Sequence, residues 1–95
     1  PYSTNRAANP LTFRDIDPAQ ASAHAGVPRS PVLPNTADSV HNMGEVWCSA
    51  LWDARARLIA RDGFATGNEL ILQLVTDGMA LCPPNPNFLE ARDGI

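Results

Sequence analysis

An all-α fold, with a long helix, a second helix antiparallel to it and a third at the C-terminus, is predicted by three features of this 95-residue sequence. From Ser39 onward, apolar residues recur every three or four positions, the spacing that lays one stripe along a helix. Gly63 and the run Cys82-Pro-Pro-Asn-Pro86 interrupt that pattern where helices must stop. Residues 1–37 hold six of the nine prolines among Asn, Ser, Thr and Ala, a composition that argues against long helices there.

Taken in order, residues 1–37 read as an irregular Pro-rich segment with at most a short helical turn between Pro18 and Ala25. So long a structureless stretch marks a functional loop or a surface meant for a partner. Residues 38–95 read as a helical lobe. Its first helix carries Val40, Met43, Trp47, Ala50, Leu51, Ala54, Leu58 and Ile59 on one face, with Asp38 or Ser39 able to cap the first turn. At 1.5 Å per residue it runs for about 35 Å and ends at Gly63. Gly63-Phe-Ala-Thr-Gly67 reads as a loop, and a second helix follows from Asn68 with Leu70, Ile71, Leu74, Val75 and Met79. The third helix opens at Asn85 or Asn87, and Phe88-Leu-Glu-Ala-Arg-Asp-Gly-Ile95 reads as a helix cut short. With Pro1 in place of an initiator methionine, the expectation is a piece of a longer protein.

Composition narrows the function classes. At 44% hydrophobic and 18% charged, the chain is that of a globular protein. A net charge of −3 and a pI near 5.1 supply no basic field for phosphates, so nucleic acid is not an expected partner. No apolar run approaches the roughly 20 residues a bilayer span needs, so neither is a membrane. A bridge between Cys48 and Cys82 would close a loop of about 35 residues and add about 4 kcal/mol by chain entropy. The alternative is two small apolar residues packed singly.

The first helix raises the question of chemistry. His41, Glu45 and Cys48 stand at steps of four and three, hence on one helical face. All three side-chain types ligate zinc, but a closed structural site takes four ligands, and the other histidine, His24, lies in the irregular segment. The plainer reading is a polar pair of His41 and Glu45. No HExxH, CxxC, glycine-rich phosphate loop or Gly-x-Ser-x-Gly turn occurs. Asp77, among Leu74, Val75 and Met79, needs a partner such as a backbone amide or Arg92. Trp47 and Trp52 are expected to pack in the core or against another lobe.

Several separated blocks carry a resemblance. They are Pro1-Tyr-Ser-Thr-Asn5, Asn9-Pro-Leu-Thr-Phe13, Val40-His41 with Gly44-Glu-Val-Trp47, Gly67-Asn68, Gln73-Leu74, Asp77, Leu81, Pro83, Asn85-Pro86, Phe88 and Ala91-Arg-Asp93. In this order they resemble the fungalysin family of secreted zinc metallopeptidases, relatives of the thermolysin-like enzymes, over nearly the whole chain. The block order places the segment in the family's C-terminal helical lobe. Gly44-Glu45 is therefore distinct from the earlier Gly-Glu helix that ligates zinc, and Glu45 is not expected to bind metal.

The resemblance implies a zinc-dependent endopeptidase that hydrolyses peptide bonds in proteins and is secreted. In such an enzyme zinc polarises the scissile carbonyl and activates water. Its ligands and the base of HExxH belong to an N-terminal zinc-binding lobe outside this chain, which is the expected partner along with a protein or peptide substrate. His41 is then the donor that stabilises the oxyanion, and Asp38 is the local candidate to orient its imidazole, or else only a cap. Residues 1–12 would line the cleft rim. The chain alone is expected to be inactive and metal-free, and its apolar faces could drive self-association. The competing reading is a non-catalytic helical interaction module of a parent that has lost catalysis. An upstream HExxH followed by a Gly-Glu helix separates the two.

Overall fold

A 23-residue helix, α1 (Val40–Asp62), dominates the computed structural model, followed by α2 (Phe64–Leu81) and α3 (Phe88–Gly94). The structure describes residues 3–16 and 40–95, and of His41 and Asn42 the backbone alone. The all-α expectation holds: the described residues include no strand. The chain forms two units, Pro1–Asp53 and Ala54–Ile95.

In the first unit, residues 3–16 are more ordered than an irregular segment implies. Asn5 anchors a turn in which the amides of Ala8 and Asn9 donate to its carbonyl and that of Ala7 to its side chain. A short 3₁₀ helix follows at Phe13–Ile16. Thr12 and Asp15 close its start: the Thr12 amide and hydroxyl donate to Asp15 Oδ2 at 2.7 and 2.9 Å, and the Asp15 amide donates to the Thr12 carbonyl. Thr-x-x-Asp is a helix-start signal, so this turn was readable in the sequence and was missed. The turn expected between Pro18 and Ala25 lies outside the described residues.

Among the described residues of this unit, the buried ones are Asn9, Asp15, Ile16, Val46 and Ser49. They differ from the face that periodicity predicts. Met43 and Trp47 are only half-buried, Ala50 is exposed, and Val40 is largely exposed. The reason is that the Asn9 side chain bonds Ser49, so the N-terminal segment covers a side of α1 that carries a polar residue.

In the second unit, Gly63 makes the whole reversal between α1 and α2. Its amide still donates to the Ile59 carbonyl, and its own carbonyl accepts from Gly67 as the first bond of α2. Between those bonds its backbone sits at φ 83°, ψ 164°, a region open essentially to glycine alone. The predicted loop through Gly67 is therefore corrected: α2 begins at Phe64, because one residue suffices for the turn. Nothing lies within 4 Å of a Cβ placed on Gly63, so Gly63→Ala tests backbone strain alone. It is expected to cost about 1–2 kcal/mol in chemical denaturation. An unchanged midpoint would mean that the turn relaxes freely.

Gly67 serves close approach instead. A Cβ there would stand 2.5 Å from the Leu58 carbonyl oxygen, so α2 meets the backbone of α1 directly. Arg55 stitches the same corner, donating to Asn68 Oδ1 at 2.7 Å while its guanidinium lies 5.8 Å from the centre of the Phe64 ring. Ile71 is the buried apolar residue of α2.

α2 stops at Leu81, before the prolines as expected, and Asn85 takes a left-handed conformation at φ 56° that asparagine tolerates. Asn87 then opens α3 with a complete capping box: its side chain accepts from the Leu89 and Glu90 amides, and Glu90 accepts from the Asn87 amide. Such a cap contributes about 1 kcal/mol. Gly78 and Gly94 let α3 lie on α2, since a Cβ on Gly78 would fall 2.9 Å from the Gly94 carbonyl oxygen. The pairing expected of Asp77 with Arg92 is not made. Asp77 faces solvent and accepts from Gln73 one turn back, while Arg92 bonds its neighbour Asp93.

Candidate functional site

α1 begins at Val40, which puts His41 in its first turn. The His41 side chain lies outside the described residues, as do Asp38 and His24. The His41–Glu45–Cys48 group and the Asp38–His41 pair thus each include a side chain outside the described residues. What is described is the rest of the face. Glu45 is half-buried, and Cys48 is an exposed, free thiol. Cys82 is also free, its thiol donating weakly to the Glu90 carbonyl at 3.8 Å.

Among the described residues, no three side chains of His, Cys, Asp or Glu come together as a metal-binding group. A zinc ion finds no fitting ligand set in them. Nor does any helix among them have the length and apolar character to cross a membrane.

Two polar links join the N-terminal segment to α1. Asn9 Nδ2 donates to Ser49 Oγ at 3.0 Å, and the Ser49 hydroxyl donates to the Glu45 carbonyl at 2.9 Å. One turn further along, Arg6 meets Asp53 at 2.5 Å and also donates to the Leu11 carbonyl. The first link is buried, whereas the second is partly exposed and open to screening by salt. The sequence offered little warning of Ser49, because a mid-helix serine reads as neutral until a partner reaches it.

At the end of α1 two charged neighbours pair. Arg61 donates two hydrogen bonds to Asp62, and this holds the Asp62 carboxyl below its ordinary value. The pair sits at the surface and marks no site.

Comparison with known proteins adds what the geometry leaves open. The family model of fungalysin metallopeptidase (M36) matches residues 1–95. The chain is 37% identical to the extracellular metalloproteinase mep of Aspergillus fumigatus, 36% to the extracellular metalloproteinase MEP of Neosartorya fischeri and 34% to extracellular metalloproteinase 2 of Trichophyton rubrum. Each alignment covers 100% of this chain and 14% of the relative, so the chain spans about one seventh of their length. No solved structure matches it significantly.

Proposed function

The chain belongs to the fungalysin metallopeptidase family, and on that premise we propose that it is the C-terminal helical lobe of a secreted, zinc-dependent endopeptidase acting on proteins. The observation that carries this reading is the family match over the full 95 residues. Secretion is supported by relatives named as extracellular.

In this reading the metal, its ligands and the base lie in an N-terminal lobe, and residues 38–95 close the other side of the cleft with residues 1–37 at its rim. His41 supplies the hydrogen bond to the oxyanion that develops on the scissile carbonyl, and Asp38 orients its imidazole. A position in the first turn of a long, continuous helix suits such a role, because a group held on a rigid element needs no reorganisation as charge develops. Leu72, Met79, Leu81 and Leu89 are all more than 60% exposed, which supports a second surface covering the lobe.

Two measurements test the assignment. In the full-length metallopeptidase, a chelator is expected to abolish hydrolysis of a protein substrate and added zinc to restore it; activity indifferent to metal would overturn the reading. The 95-residue chain alone, exposed to zinc and dialysed, is expected to retain no stoichiometric metal by elemental analysis. One tightly held zinc per chain would instead make His41, Glu45 and Cys48 a site of their own.

A further inference from the structure

The Asn9–Ser49 link has no part in the chemistry assigned to His41, yet it is built from a pair that burial ordinarily disfavours. Both side chains are nearly inaccessible, at 6% and 5% exposed. The amide donates to the hydroxyl, and the hydroxyl donates to the Glu45 carbonyl, forming one directed chain of hydrogen bonds from the segment into the helix backbone. A buried polar contact of this kind tolerates a single register, since a slip along the helix leaves the Asn9 amide without its partner. Apolar contacts hold elements together but allow sliding. This link fixes position.

The segment is a firm reference for α1, because the Asn5 turn and the Thr12–Asp15 closure order it from within. Arg6–Asp53 adds a second hold one turn beyond Ser49. Ser49 stands eight residues after His41 in one unbroken helix, about 12 Å along its axis. A shift at Ser49 is therefore carried to the first turn.

We propose that Asn9 and Ser49 are positioning residues of the peptidase reaction: by fixing α1 along its axis against residues 3–16, they place the turn that carries His41. This rests on the reading of His41 as the oxyanion donor. A misplacement of about 1 Å can cost a hundredfold in rate, so loss of one link between two elements should be visible in turnover.

The test is turnover by the full-length metallopeptidase with Asn9→Ala, Ser49→Ala, both together and, alongside, His41→Ala. Each single change is expected to lower kcat about tenfold with KM within about twofold, the signature of an interaction needed in the transition state. Zinc content should stay at the unsubstituted level. The double variant should be no slower than the slower single one, because both break the same link. Asn9→Ala leaves the Ser49–Glu45 bond in place, so it remains informative if Ser49→Ala fails to fold. Unchanged kcat, a change in KM alone, or additive losses would overturn the positioning role while a slow His41→Ala left the His41 reading intact. Full turnover by His41→Ala would overturn both.

Discussion

Replacing His41 with alanine in the full-length metallopeptidase is expected to lower kcat by about 10²–10³-fold, equivalent to roughly 3–4 kcal/mol of transition-state stabilisation. The magnitude follows from when the hydrogen bond is made. A donor aimed at an oxygen that becomes negative only during reaction contributes little to substrate binding, so KM should move far less than kcat. Zinc content should not change, because His41 is proposed to face the metal rather than to ligate it. Loss of zinc in this variant would identify His41 as a ligand and break the match of Val40-His41 to the family pattern. Glu45→Gln is the internal control: the structure uses the Glu45 carbonyl, which accepts from Ser49, and the proposal gives its carboxylate no part in the chemistry. The glutamine variant should be clearly faster than the alanine variant. Equal losses would bring Glu45 into the reaction.

The second large effect is on stability. Gly67→Val is expected to destabilise the fold by about 3 kcal/mol, the upper range for overpacking a filled contact. A Cβ at this position would lie 2.5 Å from the Leu58 carbonyl oxygen, 2.6 Å from the Ile59 nitrogen and 2.6 Å from the Leu58 carbonyl carbon. All three are backbone atoms of α1, so no side chain can rotate out of the way and the helices must part. Valine is a better helix former than glycine by a few tenths of a kcal/mol, far too little to offset the clash. Denaturation by urea would read the loss as a lowered midpoint. An unchanged midpoint would show that α2 shifts away from α1 without cost.

Gly63 and Gly67 also show how far the sequence could be read. Gly63 was legible as the end of α1, because periodicity stops there and glycine accepts a conformation closed to other residues. Gly67 was misread as the far end of a loop. Its role depends on Leu58 and Ile59, nine and eight residues earlier, and becomes visible only once two helices are laid together. The same limit explains the first unit. Spacing chose Met43 and Trp47 for the buried face, whereas the residues most hidden are Val46 and Ser49, since a Pro-rich segment with no periodicity of its own bonds to that side. Asp77 looked constrained by its apolar neighbours in sequence, but on the helix it stands on the wet side. Asn87 was one of two predicted starts for α3, and its capping box settles the choice. Of the candidate site, local patterns gave only a histidine, a glutamate and a cysteine on one face. The role proposed for His41 rests on ordered blocks spread over the chain, because these 95 residues hold no complete catalytic set for spacing rules to find.

The seven residues of α3 have a consequence for how the second unit opens. A helix this short is not stable by itself, where about 12–15 residues are marginal. It depends on two supports: the Asn87–Glu90 cap at one end, and the Gly78–Gly94 approach that seats it on α2 at the other. Neither buries a large apolar side chain, and no residue of α3 is fully buried. Breaking either support releases the roughly two turns of α3 while the 18 residues of α2 keep their own ladder. The C-terminal end is thus the lowest rung in the unit's hierarchy of local openings, and solvent reaches its amides long before those around Ile71.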